Sequence, residues 1–373
     1  MAIKPKQAMK PVSELETPAV TVLMDVMEDN IKRIQAHLAK HGIANRPHIK
    51  THKIPALGKL QMQAGASGIT CQKLGEVEVF ADAGVADDVL LTYNILGAAK
   101  TDRLMALSKR LRRLAVVLDN ETVAKGLSGA ATRHGADVPF LIECDTGMGR
   151  NGVQTPQAAL ELARAAMRMP HLRFEGIMTF PLRAPGASLT NPKMSVPGSL
   201  AFFKEALKIF KQAGIPVPVV SGGGTPAIFS VQDYPMLTEH RAGTYLYNDV
   251  MTVASGTATW DNCAMRVRAT VVSRPTETRA VFDCGTKVLT SDTYTVTGHG
   301  HIMEYPDAVI PILSEEHGVV DLSNSKKKPE VGEVIHIVPN HCCVVSNMVD
   351  EVYGARGGMI EAVWPVAARG TVR

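Results

Sequence analysis

From Thr17 to Asp249 the chain alternates short apolar runs with longer stretches in which apolar residues recur every three or four positions. The runs are Arg46–Lys50, Gly68–Gln72, Val89–Asn94, Leu114–Asp119, Phe140–Asp145, Phe174–Phe180, Val217–Gly222 and Arg241–Tyr247. Between them lie Met27–Lys40, Leu74–Ala83, Glu121–His134, Pro156–Met167 and Gly198–Ala213. In Met27–Lys40 the apolar side chains are Met27, Ile31, Ile34 and Leu38, the period of one buried helix face. Apolar runs alternating with helices predict parallel strands joined by crossovers. Eight such units over 17–249 predict a (β/α)8 TIM-type barrel. An open doubly wound sheet is the alternative, but no G-x-G-x-x-G follows the first strand.

After Asp249 the pattern changes. Ala264–Ser273, Thr278–Asp283, Val319–Leu322, Val334–Val338, Met348–Tyr353 and Met359–Pro365 read as strands separated by Pro and Gly turns, with no convincing helix. They predict a smaller all-β domain over 250–373, which residues 1–16 could join. Lys4–Leu23, extended and proline-punctuated, can supply a strand to either domain.

Composition narrows the function classes. The 373 residues are 45% hydrophobic and 20% charged, with a net charge of +4. The longest basic run, Lys326–Lys328, precedes Pro329 and reads as a solvated loop. A nucleic-acid partner is therefore not expected, because such binders concentrate their positive charge. No run of about 18 apolar residues occurs, so no membrane-spanning helix is expected. Met1–Glu16 has no apolar core of a secretory signal. Six cysteines, two of them adjacent at Cys342–Cys343, suit reduced thiols and a cytoplasmic enzyme.

The chemistry gathers where a barrel would have it, at the C-terminal ends of the strands. Arg46-Pro47-His48-Ile49-Lys50-Thr51-His52-Lys53 ends the first strand. A lysine facing a barrel mouth is costly to bury, and a common use for one is an imine with a carbonyl compound. Val219-Val220-Ser221-Gly222-Gly223-Gly224-Thr225-Pro226 and Arg241-Ala242-Gly243-Thr244-Tyr245 follow the seventh and eighth strands. Barrels bind phosphate at such loops, through backbone N–H groups and hydroxyls. Asp145-Thr146-Gly147-Met148-Gly149-Arg150 ends the fifth strand and brings an arginine to the same mouth. An imine lysine, a phosphate cradle and an arginine together point to pyridoxal 5′-phosphate (PLP).

At these motifs the sequence resembles the fold-type III PLP enzymes, with their alanine racemase-type barrel and β domain. The closer resemblance is to the D-threonine aldolase/D-serine dehydratase-like branch. It rests on residues 46–53, Cys71-Gln72-Lys73, Gly222-Gly223-Gly224-Thr225, Ser314-Glu315-Glu316-His317-Gly318 and Pro339-Asn340-His341-Cys342-Cys343. The resemblance implies that Lys50 is the Schiff-base lysine and that Arg150 contacts the cofactor ring. It also implies that Gly223, Gly224, Thr225, Gly243 and Thr244, with Tyr245 beside them, hold the cofactor. One segment departs: Thr179–Gly186 stands where aldolases of this branch carry a His-Gly sequence, so Arg183 is open to a different role.

His341 and Cys343 are two apart, so an extended segment would project both from one face and turn Cys342 away. Imidazole and thiolate suit zinc, with positions left open for water and substrate; manganese or magnesium are the other candidates. His299-Gly300-His301 has the same spacing but reads as a loop, and His317 is either a loop residue or an orienting group. By resemblance the substrate is a D-3-hydroxy-α-amino acid, cleaved by retro-aldol to glycine and an aldehyde, with Lys50 and His341 as the catalytic residues. A dehydratase giving an oxoacid and ammonia is the alternative, favoured by Cys343. An amino-acid racemase, with Tyr294 as the only candidate second base, and a non-catalytic PLP-binding protein follow. The resemblance also implies a homodimer.

Overall fold

The computed structural model describes residues 10–187, 190 and 195–373. The chain divides into two compact units. One comprises Ile34–Lys50, Pro55–Gly243 and Thr371–Arg373; the other comprises Thr51–Ile54, Thr244–Gly370 and the described part of Met1–Arg33.

The first unit is a parallel barrel of eight strands. They are β1 (Ala44–Asn45), β2 (Ile69–Cys71), β3 (Asp88–Leu91), β4 (Arg113–Leu118), β5 (Val138–Cys144), β6 (Leu172–Thr179), β7 (Val219–Gly222) and β8 (Glu239–His240). Each pairs with its neighbour in parallel register, β8 pairs with β1, and a His48–Thr70 bridge closes the circle. Every residue of β5 is buried, as expected for parallel strands covered on both faces. Leu90, Ala115, Val117, Leu141 and Met178 fill one layer inside. Helices follow the expected signals: Asn120 caps Glu121–His134 through the Val123 N–H, and Gly135 ends it at φ +59°.

Two strands are shorter and earlier than the sequence predicts. The first, expected at Arg46–Lys50, is Ala44–Asn45. Pro47 brings no N–H to the ladder, and after His48 the chain coils into a 3-10 turn at Ile49–Thr51. The eighth, expected at Arg241–Tyr247, is Glu239–His240, followed by a 3-10 turn at Thr244–Leu246. Tyr245, Leu246 and Tyr247 are buried, so a buried turn mimics an apolar strand in the sequence.

A buried ion network ties the strands together near their beginnings. Arg46 meets Asp88 and Glu239 at 2.7 Å each, and Arg113 meets Asp88 at 2.8 Å and Glu175 at 2.6 Å. Such a set is costly to desolvate, but breaking it by removing one partner costs more.

The second unit is built on a ten-stranded sheet. Met265–Thr276 is its long central strand, pairing with Ala19–Leu23, Arg279–Phe282 and Val334–Val338. The N-terminal segment contributes Lys10–Pro11, paired with Met359–Pro365, and Ala19–Leu23, paired also with Glu351–Arg356. The unit is not all β after Asp249, as the sequence had predicted. It holds short helices at Val250–Ala254, Thr286–Leu289 and Cys342–Met348, too brief to display a helical period.

Candidate active site

In the barrel, four strand ends converge on one ring. Phe180 follows β6; the Lys50 Nζ lies 5.8 Å from its centroid and the Arg150 Cζ 5.5 Å. Both distances are within cation–π range. A Cβ at Gly224, after β7, would stand 2.8 Å from the same ring. The lysine and arginine singled out in the sequence thus face a common space with the triple-glycine loop.

That space is rich in positive charge. Burial lowers the His48 pKa well below its ordinary value, and Lys50, Arg241 and Arg150 push it further the same way. His48 is therefore neutral, its Nε2 3.1 Å from the Gln72 Oε1. Arg241 is buried; its Nε donates to the Ser221 hydroxyl at 2.7 Å and its guanidinium to the Thr179 carbonyl at 2.5 Å. Burial brings even this guanidinium down to about 10, against the pull of Glu239 and Glu143. Glu143, the single acid in the buried β5 run, is raised to about 7 by burial, with Arg150 and Arg241 opposing. It accepts from the Asn151 amide at 2.5 Å, and Asn151 accepts from the Arg150 Nε at 2.8 Å.

The glycine loop is shaped to leave room. Gly223 has φ +95°, which L side chains rarely adopt, and a Cβ there would run into the His240 ring. No side chain caps the 3-10 turn that starts at Gly224, with Thr225 as its first residue. The backbone at this glycine turn and the surplus of cations around it fit a phosphorylated aldehyde such as PLP. Gly243 is buried after β8.

The second unit carries the metal candidates. His341 and Cys343 do not sit on an extended segment. His341 precedes a helix, Cys342–Met348, as its N-cap, and Cys343 is the second helical residue. They meet all the same at the start of the helix, in a hydrogen bond between the imidazole and the thiolate. Cys343 is held well below its ordinary pKa, first by a hydrogen bond from Cys342 and then, against burial, by His341 and Thr51. The imidazole is raised to about 10: burial opposes charge there, but the thiolate and Asp249 outweigh it. Thr51, the residue after Lys50, lies with its Oγ1 3.3 Å from the Cys343 sulfur, and the Thr244 hydroxyl is 3.9 Å away. Thr244 thus turns towards the thiolate, and Tyr245 is buried as a core side chain. Lys53 donates to Asn347 at 3.0 Å.

The donor set suits a divalent cation: a thiolate and an imidazole, with Cys343 partly exposed. Among the described residues no cluster of three or more His, Cys, Asp or Glu is arranged to hold one, so two protein ligands would leave the other positions open. Of the rival histidines, His301 is engaged elsewhere, stacked on Trp260 at 3.9 Å. The exposed His317 closes a turn through its carbonyl, which accepts from the Ser314 N–H at 2.9 Å. Arg183 donates to the Gly147 carbonyl at 2.6 Å and the Ala187 carbonyl at 3.1 Å, bracing two loops. Phe180, Arg241, Glu143 and Asp249 were not singled out from the sequence. The signal for three of them was a charged residue lodged in, or ending, an apolar run.

A parallel barrel with a glycine cradle, a lysine at the mouth and a β-rich second unit defines a PLP-enzyme type of architecture. Residues 22–250 match the family model for the alanine racemase N-terminal domain, and 264–355 match that for a putative serine dehydratase domain. The chain is 34% identical to a 3-hydroxy-D-aspartate aldolase of Paracoccus denitrificans, over 96% of this chain and 93% of that protein. It is 30% identical to a D-threonine aldolase of Arthrobacter, over 99% and 97%. The crystal structure of D-threonine aldolase from Filomicrobium marinum superposes with a TM-score of 0.86 at 29% identity, covering 99% of this chain and 100% of that one. The chain belongs to the alanine racemase N-terminal-domain family, in the group that these aldolases represent.

Proposed function

We propose that the protein is a PLP- and divalent-metal-dependent lyase that cleaves D-3-hydroxy-α-amino acids to glycine and an aldehyde. The observation that carries the reading is the convergence of Lys50, Arg150 and Gly224 on the Phe180 ring, in a chain akin along its length to two aldolases. When bound, PLP supplies an aldehyde carbon that links to an amine and a ring that accepts the electron pair released at Cα.

Lys50 is the amine that anchors the cofactor. Gly223, Gly224 and Thr225 offer N–H groups to the phosphate, and Gly243 keeps the second loop close. Thr244 and Tyr245 support that loop, Thr244 with its hydroxyl directed at Cys343. Arg150 stays charged and donates to the ring's polar atoms, steadied by Asn151 and Glu143. His48, kept neutral, adds no further positive charge beside the Lys50 amine. His341 and Cys343 would hold a divalent cation, which would supply Lewis acidity. His341 is thereby catalytic through the ion it carries.

The dehydratase reading stands second, favoured by the thiolate at Cys343, a soft ligand that selects zinc. A racemase stands third, with Tyr294, whose phenol burial, Asp292 and Cys343 raise to about 12, as its candidate second base. A cytoplasmic homodimer completes the proposal, and light scattering of the purified protein checks the dimer.

The test is product analysis with D-threonine and D-serine. Glycine plus acetaldehyde from D-threonine supports the aldolase; oxoacid plus ammonia selects the dehydratase. Lys50→Ala should lose the visible absorbance of bound cofactor and the adduct trapped by borohydride, whereas an adduct at Lys53 would refute the assignment.

A further inference from the structure

We propose that Asp249 is the positioning residue of the metal pair: it accepts a hydrogen bond from the His341 Nδ1–H and so makes Nε2 the nitrogen that a cation would take. The inference rests on the reading of His341 and Cys343 as metal ligands.

Asp249 is 0% exposed, and a carboxylate is rarely buried so fully without a task. Its Oδ2 accepts from the His341 Nδ1 at 3.0 Å and from the Cys342 N–H at 3.1 Å. Its Oδ1 accepts from the Thr252 N–H at 3.0 Å, while its own N–H donates to the Thr252 hydroxyl at 2.8 Å. Two backbone bonds lash its segment to the one that carries the histidine, Val250 N–H to the Pro339 carbonyl at 3.1 Å and Met251 N–H to the Asn340 carbonyl at 3.3 Å. The carboxylate is thus fixed by three N–H donors and cannot swing towards an ion.

Capping alone does not call for this residue. Val250–Ala254 is one short helical turn, and a neutral serine or threonine would cap it without burying a charge. What a serine could not do is reach both the Cys342 N–H and the imidazole. A carboxylate accepts only, so the nitrogen facing it carries the proton and the opposite nitrogen is the one free to coordinate. The thiolate partner is steadied likewise, by Cys342 and Thr51.

The experiment is zinc affinity, read on the full-length protein with PLP bound, by competition with a chromogenic chelator. Asp249→Asn should bind one zinc roughly 10–100-fold more weakly, with the cofactor's absorbance unchanged. Thr252→Ala removes the bond from the Asp249 N–H to the Thr252 hydroxyl but keeps the backbone cap and the histidine contact, and should stay within about twofold of wild type. An Asp249→Asn affinity equal to wild type, or an equal loss in Thr252→Ala, overturns the positioning role while leaving the metal reading intact. Zinc retained by both His341→Ala and Cys343→Ser would instead remove the metal reading itself. Nitrogen-15 NMR of the zinc-loaded wild type needs no variant to fold. Coordination through Nε2 with Nδ1 protonated is expected, and coordination through Nδ1 refutes the proposal.

Discussion

Gly223→Ala should destabilise the protein and loosen its hold on PLP, and the size of both effects follows from the backbone. Gly223 sits at φ +95°, where an L residue costs roughly 1–2 kcal/mol. Its new Cβ would also collide with the His240 ring. His240 is 0% exposed and held neutral, its pKa lowered to about 3 by burial and by Arg241 and His37, so it has no solvent to turn into. Overpacking of a buried site adds roughly 1–3 kcal/mol, which brings the loss to about 2–5 kcal/mol. At ~2–4 °C per kcal/mol for a unit of this size, melting should fall by roughly 4–20 °C. The same strain is relieved by moving the loop, and ~1.4 kcal/mol transferred to the bound state makes PLP binding about tenfold weaker. Gly222→Ala is the control. Its Cβ would stand 3.0 Å from methyl groups of Leu182 and Leu237, flexible ends that can yield, so it should lose about 1 kcal/mol or less. Urea unfolding of both variants, with PLP titration by absorbance, decides the matter. Equal losses in the two, or a Gly223→Ala protein as stable as wild type, would show that neither the positive φ nor the His240 contact constrains the loop.

Three further outcomes are expected. Arg150→Lys should keep PLP bound but shift its spectrum and slow turnover, because an ammonium cannot reproduce the guanidinium's planar fork; loss of cofactor without a spectral change would mean a phosphate role. Chelation should abolish turnover and leave the cofactor's absorbance intact, Cys343→Asp should move metal preference from zinc towards manganese or magnesium, and Cys342→Ser should retain the ion; full activity in chelator sinks the site. In cofactor-free protein, Glu143, raised from 4.5 to about 7, binds its proton more tightly folded than unfolded. Its contribution is fully present below about pH 4.5 and is lost as pH rises through about 7, some 3 kcal/mol in all. Glu143→Gln should flatten that slope in urea unfolding between those pH values, and a slope unchanged by the substitution refutes the assignment.

The parts of the fold that were legible in the sequence are those whose burial follows the regular pattern of a strand or of a helix face. β5, buried at every position, reads as an apolar run interrupted only by Glu143, and the helix Met24–Lys40 shows its period because Met27, Ile31, Ile34 and Leu38 are all buried. The failures share a different cause. β1 and β8 are two residues each, and what lies beyond them is buried turn, which looks like strand when only hydrophobicity is counted. Charged partners were harder still. Arg241 and Glu143 gain their meaning from a ring of groups drawn from β5, β6 and β7 and the loops after them, which no local window contains.

The histidine–cysteine pair shows how a spacing can be informative while the geometry assigned to it is wrong. Two residues apart on a strand, side chains share a face; at the start of a helix they can meet for another reason. There the N-cap residue is still extended, and its side chain lies beside that of the second helical residue. His341 has the extended backbone that this requires, φ −142° and ψ 112°, and Cys343 is the residue two further on. The helical alternative also explains what a strand could not. With Cys342 at the first helical position, its N–H points back to Asp249 at 3.1 Å, so the carboxylate that aligns the imidazole also anchors the helix start. A strand would have turned Cys342 away from the site and given Asp249 nothing to hold. The short helix therefore couples the placing of His341 to the placing of Cys343, and a lesion at either end of that turn should be felt at the other.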